Sequence, residues 1–103
     1  MFAITRKVDE LIQIGGDMVV GPTDIDAKIV RLLARGRIIG GPDDGASFTK
    51  TAELGINGEM RLGEHVIVSV VDIRGDAVRL GIQVPKHVEV SRKENARQDR
   101  GEA

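Results

Sequence analysis

The sequence predicts a mainly β chain carrying one inserted α-helix, an α+β class built on small antiparallel sheets. Three observations predict it. Ala77 to Val84 alternates strictly, with Val78, Leu80, Ile82 and Val84 on one face and Arg79, Gly81 and Gln83 on the other, the period of a half-buried strand. His65 to Ile73 places Val66, Val68 and Val70 opposite Ile67, Ser69 and Val71, a strand covered on both faces. Ile25, Ile29, Leu32 and Leu33 fall at i, i+4, i+7 and i+8, an apolar stripe of helical period.

The elements follow in order. Phe2 to Thr5 is a short strand with Phe2 and Ile4 on one face, and Leu11 to Ile14 is a second, closed by Gly15-Gly16. Thr23 or Asp24 caps the expected helix after Pro22. Asp24 and Asp26 at its start and Arg35 and Arg37 at its end suit the helix dipole, with Gly36 as its stop. Gly40 to Gly45 is a loop by composition, and Phe48 to Ile56 is a strand leading to the hairpin dipeptide Asn57-Gly58. Gly75-Asp76 turns the two clearest strands, and the Arg74-Gly75-Asp76 tripeptide is explained by that turn. Pro85 ends the second of them, because proline cannot donate to a ladder. Val88 to Ser91 is a last short strand, followed by a polar tail.

Composition narrows the function. A chain of 103 residues, 41% hydrophobic and 30% charged, is read as one soluble domain. It has no apolar run near the roughly 18 residues that span a bilayer, and its early charges Arg6, Lys7, Asp9 and Glu10 are unlike a signal peptide. The absence of cysteine excludes disulfides and points to the cytoplasm. The formal charge is −1, so a nucleic-acid site must be a local cluster rather than a basic surface. Phe2 and Phe48 are the only aromatics, too few for a base-stacking platform. His65 and His87 have no partners at metal-ligand spacing, and no serine or threonine has a histidine and an acid at motif spacing. Neither an enzyme nor a bound metal or cofactor is expected.

Met1 to Gly16 (MFAITRKVDELIQIGG) and Gly63 to Glu94 (GEHVIVSVVDIRGDAVRLGIQVPKHVEVSRKE), taken together, resemble the carbon storage regulator family (CsrA/RsmA). On that resemblance the single domain 1–103 divides into a family-like core at 1–16 and 63–94, an inserted helix and hairpin at 17–62, and a polar tail at 95–103. The family's members are small bacterial dimers that bind RNA and control translation. Their two chains interlock, the first strand of one beside the last strand of its partner, and each such edge takes a GGA-containing RNA loop. The resemblance therefore implies an intertwined, strand-exchanged homodimer whose RNA partners are messenger leaders and small regulatory RNAs. The RNA-binding positions it carries over are Ile4, Arg6 and Lys7 on the first strand, and Val90, Arg92, Lys93 and Glu94 at the last. Pro85-Lys86 matches the family's pair before the last strand. Lys7 stands where the family has arginine, keeping the charge without the planar fork.

Three further readings complete the picture. Lys28, Arg31 and Arg35 form a basic stripe on the expected helix, an auxiliary RNA face or an ordinary solvated one. Gly16-Asp17-Met18-Val19-Val20 echoes Gly63-Glu64-His65-Val66-Ile67-Val68, and both resemble the family's turn into its third strand, the second being taken as its equivalent. An alternative function is a protein-interaction module on the same scaffold with the RNA edge closed by the insertion, serving a regulatory protein partner.

Overall fold

The computed structural model describes residues 2–93. Glu94 and the polar tail 95–103, which its composition leads one to expect as frayed or as a solvent-exposed helix, lie outside the described residues. Among the described residues nine strands form: β1 (Phe2–Lys7), β2 (Leu11–Ile14), β3 (Met18–Ile25), β4 (Val30–Arg37), β5 (Ser47–Leu54), β6 (Glu59–Arg61), β7 (Ile67–Arg74), β8 (Ala77–Gln83) and β9 (Val90–Lys93). They make two antiparallel sheets, ordered β1-β8-β7-β6 and β5-β4-β3-β2-β9.

No helix forms among the described residues, so the fold is all-β and the α+β expectation is corrected. Residues 24–37 complete β3 and form β4, a hairpin paired from Met18↔Gly36 to Ile25↔Val30. Val30, Leu32 and Ala34 are fully buried while Arg31 and Arg35 are exposed, which is a period of two. The helical stripe is scattered, with Ile29 47% exposed at the hairpin tip. Burying Val30 and Leu32 between two neighbouring strands is worth roughly 1.5–3 kcal/mol each. Helix propensity differs by only about 0.7 kcal/mol per residue among ordinary side chains, so tertiary packing decides.

Residues expected at the two ends of the helix have other work. Asp26 Oδ1 accepts from the backbone N–H of Lys28 at 2.8 Å and of Ile29 at 3.1 Å, fixing the β3–β4 turn. Gly36 is a strand residue at φ +136°, where a Cβ would lie 2.1 Å from the Asp17 carbonyl oxygen. Asn57, at φ 74°, does turn the chain, but β5 and β6 belong to different sheets, so the turn is a crossing rather than a hairpin.

The core lies between the sheets. Ile12, Ile14, Met18, Val20, Val30 and Leu32 come from one side, and Met60, Val68, Val70, Val78, Leu80 and Ile82 from the other. The sequence alternation of β7 and β8 is what aims these residues inward.

The two sheets repeat one plan at an offset of 48 positions. Ile12 faces Val20 as Met60 faces Val68, and Val20 faces Ala34 as Val68 faces Ile82. The register slips between Pro22 and Asp24 as it does between Val70 and Asp72, and each slip is followed by an aspartate–arginine pair, Asp24↔Arg31 and Asp72↔Arg79. Ile4 faces Leu80 as Ala52 faces Leu32. Even the left-handed turn residues correspond: Asp9 (φ 70°) donates its N–H to Pro22 O at 2.9 Å, and Asn57 (φ 74°) donates to Val70 O at 2.7 Å. The echo seen in sequence is thus part of a longer repeat, one residue out of register as first aligned, because Gly15 and not Gly16 matches Gly63.

The halves exchange strands. β1 precedes the β2-β3-β4 meander but pairs with β8, whereas β5 precedes β6-β7-β8 but pairs with β4. β9 follows β8 and pairs with β2. β1 and β9 lie in different sheets and share no ladder among the described residues.

Candidate nucleic-acid interface

β1 and β9 are edge strands of different sheets, and Arg6 joins them. Its position on β1 faces inward with Ile4, because alternate residues share a face. Its side chain therefore runs between the sheets and is 8% exposed. The guanidinium donates from one terminal nitrogen to the carbonyls of Leu11 and Lys93, both at 3.3 Å, and from Nε to Thr5 O at 2.9 Å. Glu10 Oε1 lies 3.7 Å from Nε and accepts the Lys7 N–H at 2.8 Å. The buried charge thus has acceptors and a nearby counter-charge, which its burial requires.

The other sequence-derived positions spread around this joint. Ile4 is buried opposite Leu80 and belongs to the core. Lys7 is exposed and turns toward Asp76, 3.7 Å away. Val90 faces Ile14 and packs on the core. Arg92 faces Ile12, so it lies on the sheet face turned toward β1, yet it is exposed. Lys93 faces Leu11 on the opposite side of β9, and its Nζ donates to Gln13 Oε1 at 3.2 Å. Glu94 lies outside the described residues.

The stripe of Lys28, Arg31 and Arg35 is divided. Lys28 sits in the β3–β4 turn. Arg31 is bound by the Glu53 carboxylate of β5, 3.1 Å from its Nε, and this pairing raises the guanidinium's pKa. Arg35 borders a shallow concavity on the outer face of the second sheet, together with Lys93, Gln13 and Asp17. Gln13 was not singled out from sequence. Its amide donates to Gly15 O at 2.8 Å and Met18 O at 3.3 Å, holding the floor beside Lys93. Its outward place on a short strand is the one sequence signal that marks it.

The arrangement can bind a flexible polyanion at one edge. It offers exposed Arg92 and Lys7, Lys93 on the adjoining face, and the outer backbone groups of two strand edges. No helix among the described residues is long and apolar enough to cross a membrane.

Comparison with known proteins finds similarity in the second half of the chain. The family model CsrA, described as a global regulator protein family, matches residues 55–99. Translational regulator CsrA of Brachyspira hyodysenteriae is 46% identical over 39 residues, covering 38% of this chain and 48% of the relative. That of Bacillus subtilis is 44% identical over 39 residues (38% and 53%), and that of a Nocardioides species 52% over 33 residues (32% and 40%). The chain thus spans about half the length of these relatives. No solved structure matches. The family match runs unbroken from Gly55 through β6 into the Gly63 turn and on through β7, β8 and β9. Over residues 55–99, the chain is thus similar to the CsrA family model and to these translational regulators.

Proposed function

We propose that the protein is a cytoplasmic, non-catalytic RNA-binding regulator of translation that recognises GGA-containing loops at the β1/β9 edge. The observation that carries this is the Arg6 bridge to Lys93 O, which sets the first strand beside the last with Arg92 exposed next to it. Guanine presents O6 and N7 acceptors that suit an arginine fork, and strand-edge amides suit a splayed loop. Arg6 then acts by positioning, while Arg92, Lys93 and Lys7 meet the RNA. Bound to a messenger leader, such a chain blocks ribosome access. Both strands of the edge come from one chain, so a homodimer is an addition to the site and not a requirement for it.

Gel shifts with a GGA hairpin and a loop-mutated control test this at moderate salt. Preference for the GGA loop is expected, and equal affinity for the two RNAs would sink the reading.

A protein-interaction module is the second reading. It is favoured by the engagement of Lys7 with Asp76 and of Arg6 with backbone, which leaves little free positive charge on β1. Capture of a regulatory protein that survives nuclease treatment, without RNA copurifying, would support it.

A further inference from the structure

Resting on the RNA reading above, we propose that each chain carries a single RNA site and works as a monovalent binder, because the second edge that its internal repeat would provide has been dismantled. The repeat makes the comparison position by position. The place of Arg6 on β1 is taken on β5 by Leu54, which packs against the core, so no guanidinium ties that edge to a neighbour. The place of Lys7 is taken by Gly55.

The neighbour itself is missing. β9 lies beside β2, but among the described residues no strand pairs with the outer edge of β6, the strand that repeats β2. The residues 48 positions before β9 are Pro42, Asp43, Asp44 and Gly45, which form turns between β4 and β5 and not a strand. Where Arg92 would repeat, Asp44 stands instead, with its carboxylate accepting the Gly40 N–H at 2.6 Å. Two aspartates thus replace a basic strand end, which disfavours a phosphate backbone. Lys50 of β5 donates to the Arg61 carbonyl at 2.9 Å, occupying part of the β6 edge with a side chain.

A protein with two such edges can hold two loops of one RNA and gain avidity from the second contact, commonly 10²–10⁴-fold. A monovalent chain gains only the statistical factor of about two. Regulation by this protein is then simple occupancy of single loops, without bridging.

Calorimetry and native mass spectrometry of the full chain with a one-loop GGA hairpin, and with an RNA carrying two such loops, test this. The expected complexes are one hairpin per chain, and two chains on the two-loop RNA with affinity within about twofold of the single loop. Two hairpins per chain, one hairpin shared by two chains, or a gain of about tenfold or more on the two-loop RNA would overturn it. No complex with either RNA would overturn the RNA reading and this proposal with it. Arg92→Ala is expected to weaken hairpin binding about tenfold, while Arg61→Ala, exposed on β6, leaves it within about twofold. An equal loss from Arg61→Ala would place RNA on the second edge and refute the single site.

Discussion

The guanidinium of Arg6 and the carbonyl of Lys93, 87 positions apart, are joined by a 3.3 Å hydrogen bond between the two edge strands. The same group also holds Leu11 O, so one side chain links β1, β2 and β9. Arg6→Ala removes the donor from three carbonyls, those of Thr5, Leu11 and Lys93, and a hydrogen bond to a charged group contributes about 1.5–3 kcal/mol. Urea unfolding should show a loss of that order. Amide exchange in β9 should accelerate more than in β7, which is anchored on both edges. Arg6→Lys should recover part of the stability, since lysine keeps the charge but not the fork.

Gly36 and Gly16 make a matched pair of tests for the β2–β3–β4 packing. A Cβ on Gly36 meets Asp17 O at 2.1 Å, at a φ that L side chains rarely adopt, whereas a Cβ on Gly16 meets nothing within 4 Å. Gly36→Ala is expected to destabilise by about 2 kcal/mol or more, because strain and overpacking act together. Gly16→Ala should stay within about 0.5 kcal/mol of the parent. Thermal unfolding of both variants checks the contrast.

Much of the second half was legible in the sequence for a physical reason. β7 and β8 are long, alternate cleanly and are joined by the two-residue Gly75-Asp76 turn, so local pattern and tertiary burial agree. β2 was legible from its apolar positions and the glycines that follow. The segment 24–37 was not, because Ile25, Ile29, Leu32 and Leu33 fit a helical period while Val30, Leu32 and Ala34 fit a strand. Only pairing with β3 and β5, which no local window contains, selects the second pattern. The 48-position repeat was visible only at its glycine turn, since most of its equivalences pair unlike residues such as Arg6 and Leu54. The site was legible as a set of basic positions, but not in its division of labour. Arg6 is buried by the neighbouring sheet, a fact of tertiary packing that spacing cannot supply.

Two carboxylates make the fold sensitive to acid. Backbone donors at Lys28 and Ile29 hold Asp26 below its ordinary value of 3.8, and the Arg74 side chain does the same for Asp72. A depressed folded pKa gives stability that is fully present above about 3.8 and is lost as pH falls through the lower folded value. Asp26 is exposed and Asp72 is half-buried at the surface, so each contribution is small. The urea midpoint should therefore fall on going from about pH 7 to about pH 2, and Asp26→Ala should show a smaller fall than the parent. An unchanged pH dependence in the variant would remove Asp26 from the account.

The basic residues outside the β1/β9 edge give a final prediction, because the fold separates what the sequence grouped. Arg35 borders the concavity that Lys93 and Gln13 also line, whereas Lys28 sits in the β3–β4 turn and Arg31 is held by Glu53. On the proposed RNA reading, a loop bound at β9 brings its phosphates past Lys93 toward Arg35. Arg35→Ala is then expected to weaken binding to GGA and control RNAs alike and to reduce the salt slope by about one, the signature of a lost phosphate contact. Lys28→Ala and Arg31→Ala should leave both quantities unchanged. Affinities measured across a series of salt concentrations separate these outcomes. An equal effect from all three variants would mean that the outer face of β4 binds as one diffuse patch, contrary to the division the fold imposes.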